Sequence, residues 1–134
     1  MSKVIFTNGC FDILHRGHIE LLKYCYSLGD IVIVGFNSDD SVKSLKGINR
    51  PINSQKDRKI ILESIKYVHQ VIVLNENTNY NLIKDIKPDI IVKGGDYKAR
   101  DVVGKDLCEV KIFNYVEGYS TTKAIQDITI SLSL

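Results

Sequence analysis

The chain has 134 residues, 44% hydrophobic and 25% charged, which fits a single soluble globular domain with a substantial core and argues against a second domain. A formal charge of +2 argues against a nucleic-acid binder, which would show a concentrated basic stripe, so any anionic partner should be small. Cys10, Cys25 and Cys108 lie far apart and form no CxxC pair, which argues against a disulfide framework or a structural zinc site and for a reducing, cytoplasmic setting. Met1-Ser2-Lys3 leads straight into a strand without a signal-peptide core, and no apolar run approaches the ~20 residues of a membrane span, so no membrane partner is expected.

In chain order, Val4-Ile5-Phe6 predicts a first strand, followed by the polar stretch Thr7 to His18. Ile19, Leu22 and Tyr26 then repeat at helical spacing and predict a helix reaching Leu28. Ile31 to Val34 reads as the second strand, and Asn37-Ser38-Asp39-Asp40 leads into a short helix over Asp39 to Leu45. After the loop Lys46 to Pro51, Ser54 as N-cap with Asp57 three residues on starts a helix expected to reach Val68, with Ile61, Ile65 and Val68 on one face. Val71 to Leu74, Ile90 to Val92 and Val110 to Phe113 complete the strands, and Tyr80 to Ile86 supplies another helix. Gly118 to Thr122 opens a last helix, with Ile125 and Ile128 expected on its inner face. Thr129 to Leu134 alternates polar and apolar residues and is compatible with an edge strand, a subunit contact or a frayed tail.

Strands and helices therefore alternate, and the strands are almost continuously apolar. This pattern predicts an α/β fold: a doubly wound parallel sheet in one domain, covered on both faces and joined by right-handed crossovers. Ligands in such sheets bind beyond the carboxyl ends of the strands, near the reversal of strand order. Four polar segments follow predicted strands: Thr7 to His18, Asn37 to Asp40, Lys93 to Tyr97 and Glu117 to Thr122. All four are expected to converge on one crevice.

Thr7 to His18 is the most informative segment. A strand, a polar turn and a helix start place unpaired N–H groups and a partial positive charge where a phosphate can sit. His15 and His18 would add donors, and Gly17 would let backbone approach closely. The structural alternative is that one histidine caps the helix and the other is a satisfied surface residue. Cys10, Asp12, His15 and His18 are also conceivable metal ligands, but they lack the paired spacing of a zinc site. Lys46 and Arg50 offer a mobile point charge and a planar fork for phosphate, or else form a solvated basic loop. Lys93-Gly94-Gly95-Asp96-Tyr97 reads as a close backbone approach to a ligand or as a tight turn. Ser120, Thr121 and Thr122 suit a second phosphate site, or serve as ordinary N-cap residues. Two phosphate-competent helix starts together with Lys46 and Arg50 favour a polyphosphate ligand.

These residues resemble the cytidylyltransferase-like nucleotidyltransferases, a Rossmann-like superfamily carrying His-x-Gly-His. The likeness is strongest to the adenylyltransferase domain of bacterial ADP-heptose synthesis. It rests on Thr7-Asn8-Gly9, Phe11-Asp12-Ile13-Leu14-His15, Gly17-His18, Leu28-Gly29-Asp30, Asn37-Ser38-Asp39, Leu45-Lys46-Gly47, Arg50-Pro51, Lys93 to Tyr97 and Ser120-Thr121-Thr122. The resemblance implies attack by the oxygen of D-glycero-β-D-manno-heptose 1-phosphate on the α-phosphorus of ATP, supplied with Mg2+, and departure of pyrophosphate. It implies that His15, His18 and Lys46 act in catalysis. Thr7, Asn8, Gly9, Phe11, Gly17, Asn37, Asp39, Lys93, Gly94, Asp96, Ser120, Thr121 and Thr122 would bind the nucleotide. Asp12, Arg50 and Tyr97 would face the acceptor. It further implies a homodimer and a separate sugar kinase upstream. Relatives that make CDP-glycerol commonly carry Arg-Thr-x-Gly-Ile-Ser-Thr-Thr near the end, whereas this chain has Tyr115-Val116-Glu117-Gly118-Tyr119-Ser120-Thr121-Thr122, without that arginine. A cytidylyltransferase for another phosphate and a non-catalytic nucleotide-binding module are the competing readings.

Overall fold

The computed structural model describes residues 2–75, 79–95, 98–114 and 118–132. Five parallel strands form one sheet: β1 (Val4–Gly9), β2 (Ile31–Asn37), β3 (Gln70–Leu74), β4 (Ile90–Gly94) and β5 (Glu109–Phe113). Their order is β3-β2-β1-β4-β5, so the chain winds outward from β1 on one side and restarts on the other at β4. The point of reversal lies between β1 and β4, where the register pairs Thr7 with Val92. Both strands run further than the apolar runs predict, β1 through Gly9 and β4 through Gly94, and the chain leaves the sheet here at Cys10 and Gly95.

Successive residues of each central strand point to opposite faces, and both faces are dry. Ile5, Val32, Val34, Phe36, Ile90 and Val92 pack beneath helices α1 (Arg16–Leu28) and α3 (Gln55–Glu63) through Leu22, Cys25 and Leu62. Phe6, Ile33 and Ile91 pack on the other face with Ile83 of α4 (Asn79–Ile86) and with Val102, just past the short 3-10 turn Ala99–Asp101. This is the doubly wound arrangement that the alternation predicts.

The helix boundaries differ from the sequence expectation where local chemistry overrides periodicity. Helix α1 begins at Arg16, ahead of the apolar repeat, because His15 caps it. Helix α2 (Asp39–Lys46) is capped by Ser38, with Asp39 and Asp40 in its first turn and Lys43 and Lys46 in its last, each sign matched to the helix dipole. Ser54 caps α3 as expected, accepting from the Asp57 N–H at 3.3 Å, but the helix stops at Glu63. Val68 therefore lies outside it, and Ile61 is exposed while Arg58 and Leu62 are buried. Helix α5 (Thr121–Leu132) carries the chain through Thr129, which rules out an edge strand over 129–132. Ile128, expected on the inner face of α5, is exposed.

Candidate active site

At the carboxyl end of the sheet lies a cavity of about 600 Å³. All four polar segments reach it: Asn8 to His18 from the end of β1 onward, Asn37 at the end of β2, Lys93 to Gly95 at the end of β4, and Tyr119 to Thr122 at the start of α5. Lys46 enters from the last turn of α2, Arg50 from the loop that follows it, and Asn79 from the start of α4.

The α1 start is built around its two histidines. His15 occupies the N-cap position, and its Nδ1 accepts the Gly17 N–H at 3.0 Å. His18 reaches back, its Nδ1 accepting the His15 N–H at 3.2 Å, so each ring satisfies a helix N–H that would otherwise be orphaned. A nitrogen that accepts carries no proton, so each neutral ring holds its proton on Nε2. Burial pulls the pKa of His15 down; burial and then the neighbouring His15 pull that of His18 to about 4. At neutral pH the site thus presents two uncharged Nε2–H donors. Of the structural alternative, the cap at His15 is present, but His18 is also engaged at the helix start and is not a surface residue: in each ring Nδ1 accepts a backbone N–H and Nε2 is left as the donor.

Gly17 serves this arrangement. A β-carbon there would sit 2.8 Å from Cε1 and 2.9 Å from Nδ1 of His15, so any side chain would displace the capping ring. Phe11 adopts φ +48°, a left-handed conformation that costs a non-glycine residue about 1–3 kcal/mol, and this bend seats its ring 5.4 Å from that of His18.

Positive charge surrounds the cavity. Lys93, from β4, donates to Asn8 Oδ1 at 2.7 Å, and burial lowers its pKa. Arg50 donates to Asp12 Oδ2 at 3.1 Å. The same carboxylate accepts from the N–H of Ile52 and of Asn53, both at 2.8 Å, so Asp12 ties the Arg50 loop to the histidine segment. Cys10 lies among Lys46, Arg58, Lys93 and Arg50, yet burial outweighs their pull and raises its thiol pKa. Gly95 has φ +98° and donates to Phe113 O at 3.1 Å, which makes this glycine a turn former, and both it and Gly94 line the cavity.

At the far wall Ser120 Oγ accepts the Lys123 N–H at 2.9 Å, and Thr121 Oγ1 donates to Ile13 O at 2.9 Å. Thr121 therefore fastens α5 to the histidine loop, and Thr122 lines the cavity beside it. Two expected contacts sit behind the wall. Thr7 is fully buried in β1, and Asp39 is held at 2.8 Å by Arg58. Asp96 and Tyr97 lie outside the described residues.

Arg58 was not legible in the sequence, since an arginine on an amphipathic helix reads as solvated. It is fully buried and donates to the carbonyls of Cys10, Asn37 and Asn53 as well as to Asp39. One guanidinium thus gathers the loops after β1 and β2 and the segment before α3. Tyr119 also lines the cavity, its ring stacked 6.2 Å from that of His15; its position just before Ser120 was the available signal.

Two helix starts, two imidazole donors and several cations gather at the switch point of a doubly wound sheet, which is where the nucleotide-binding α/β class places its ligands. Residues 6–127 match the cytidylyltransferase-like family, and the chain belongs to it. The bifunctional protein HldE of Nitratiruptor sp. is 54% identical over 126 residues, 93% of this chain and 27% of HldE. HldE of Helicobacter pylori is 50% identical over 128 residues, 95% of this chain and 28% of HldE. The chain thus spans about a quarter of the length of these curated relatives. Among solved structures, a lipopolysaccharide core biosynthesis protein from Thermoplasma volcanium matches with a TM-score of 0.74 at 28% identity, over 90% of this chain and 100% of that one. Pantoate-beta-alanine ligase from Francisella tularensis, at 18% identity and a TM-score of 0.59 over 97% of this chain and 69% of its own, shares the fold alone.

Proposed function

We propose that the chain transfers the adenylyl group of ATP to a sugar 1-phosphate, D-glycero-β-D-manno-heptose 1-phosphate, giving an ADP-sugar and pyrophosphate. The observation that carries this reading is the pair of neutral Nε2–H donors fixed at the start of α1 amid Lys46, Arg50 and Lys93. Identity of 50–54% to about a quarter of the length of bifunctional HldE proteins supports the choice of acceptor.

In the reaction an anionic oxygen of the acceptor phosphate forms a bond to Pα, and the bond from Pα to the bridging oxygen breaks, its electron pair leaving with pyrophosphate. The nucleophile carries no proton, so no general base is required. What the step needs is stabilisation of charge on the oxygens of five-coordinate phosphorus, which His15 and His18 supply as donors that need no reorganisation. Lys46, at the end of α2, neutralises the phosphates, and the α5 start with Ser120, Thr121 and Thr122 holds the leaving end. Asn8, Gly9, Phe11, Gly17, Asn37 and Gly94 shape the nucleotide side of the cavity, and Arg50, held by Asp12, faces the acceptor. Asp12 already accepts three hydrogen bonds, and the described residues hold no group of three potential metal-ligating side chains. Mg2+ therefore belongs to this reading as part of the nucleotide substrate. A sugar kinase is inferred to supply the 1-phosphate, and a homodimer, tested by light scattering, completes the proposal.

The test is pyrophosphate release measured for each nucleoside triphosphate against a panel of sugar and alcohol phosphates. Turnover with ATP and heptose 1-phosphate is expected. Turnover confined to CTP and glycerol 3-phosphate would replace this reading with a cytidylyltransferase, and nucleotide binding without turnover would leave a binding module. His18→Ala should lower kcat on the order of 100-fold with a modest change in nucleotide affinity.

A further inference from the structure

Four rings follow one another along the cavity wall. Phe11 lies 5.4 Å from His18, His18 lies 3.9 Å from His15, and His15 lies 6.2 Å from Tyr119. The inner end is sealed, with Phe11 4% exposed, and the outer end is open, with Tyr119 40% exposed. His15 is enclosed on one side by His18 and beneath by Gly17, where a β-carbon would stand 2.8 Å away. Tyr119 supplies a further side, its ring within 27° of parallel to the imidazole.

Tyr119 is itself well placed to be rigid. It directly precedes Ser120, which caps α5, and Thr121, whose hydroxyl is bonded to Ile13 in the histidine loop. The Arg16 guanidinium lies 6.0 Å from the Tyr119 ring centre. A histidine N-cap needs such a neighbour. The χ2 torsion of histidine is broad, so one hydrogen bond to Nδ1 tolerates ring rotation that would swing the Nε2–H away from its target.

We propose that Tyr119 is a positioning residue: its ring holds His15 in the capping orientation, so that the start of α5 contributes to turnover through the histidine. This inference rests on the transfer reading above. Misplacement of a reacting group by about 1 Å can cost on the order of 100-fold in rate, and a partial loss of orientation costs less. Tyr119→Ala should therefore lower kcat on the order of 10-fold, with KM for ATP changed less than about 3-fold, and Tyr119→Phe should restore the rate. In a His15→Ala background, Tyr119→Ala should add no further loss, because its effect passes through the missing ring. In 15N spectra of the ligand-free protein, His15 should be a single Nε2–H tautomer in the parent and a mixture in Tyr119→Ala. If Tyr119→Ala fails to fold, Tyr119→Leu carries the same comparison.

Parental kcat in the alanine variant, losses that multiply with His15→Ala, or a change in KM alone would each overturn the proposal. Should His15→Ala itself keep parental activity, the transfer reading fails. Should His15→Ala be crippled while Tyr119→Ala is not, the positioning role alone fails.

Discussion

Acidifying the ligand-free protein should expose the free energy stored in His18. The folded protein holds this ring at a pKa of about 4, against 6.5 for an ordinary histidine, chiefly because it is buried and then because His15 lies beside it. An unfolded chain takes up the proton near pH 6.5, while the folded protein resists until about 4. Between those values the unfolded state binds more protons, so the stability is complete above 6.5 and is lost progressively as pH falls toward 4. The gap corresponds to about 3 kcal/mol, a large share of the roughly 5–15 kcal/mol that holds a domain folded. His15, also shifted downward by burial, adds loss of the same sign. The assay is urea unfolding at a series of pH values for the parent and for His18→Asn. The asparagine Oδ1 can replace Nδ1 as acceptor of the His15 N–H but does not titrate, and carboxylates common to both proteins cancel in the difference. The parent should lose more stability than the variant between pH 7 and 4. Parallel losses, or an NMR titration placing His18 near 6.5, would refute the reasoning.

Gly17→Ala should separate activity from stability: displacing the His15 ring removes a cap worth about 1 kcal/mol, which the better helix former offsets by up to about 1 kcal/mol. Thermal unfolding should therefore shift little while kcat falls at least 10-fold, and unchanged kcat would contradict the role of the ring. Arg58→Met leaves three carbonyls and Asp39 without their donor and should cost about 3–5 kcal/mol by urea unfolding. Arg58→Lys should recover little of it, since an ammonium cannot span partners set out for a planar fork. Asp12→Asn replaces one of two accepting oxygens with a donor and should cost about 2 kcal/mol, together with a raised KM for the acceptor as Arg50 loses its anchor. An unaltered KM would detach Arg50 from acceptor binding.

The sheet was legible because its strands are buried on both faces, which writes them as apolar runs at Val4, Ile31, Val71, Ile90 and Val110. Helix lengths were less so. Ile61, Ile65 and Val68 have helical spacing, yet the helix ends at Glu63 and its buried residues are Arg58 and Leu62. Periodicity reports that a face is apolar, not what lies against it, and α5 makes the same point with Ile128 in solvent. Arg58 was invisible for a related reason: a guanidinium can be buried only where several carbonyls converge, and that convergence is a property of three loops together.

Under the proposed transfer, the short spacing of the histidine segment reconciles capping with catalysis. A serine or aspartate at the N-cap satisfies helix N–H groups and is then spent as a ligand. An imidazole has a second nitrogen, so His15 and His18 can close the helix start through Nδ1 and still offer Nε2–H to a phosphate. The pairing works only while both rings stay neutral, because a proton on Nδ1 would turn the cap acceptor into a donor facing another donor. Burial beneath Phe11 secures that neutrality, and Gly17 leaves room for the ring above the backbone. Under the proposed transfer, folding and phosphate recognition therefore impose the same residues at the same spacing.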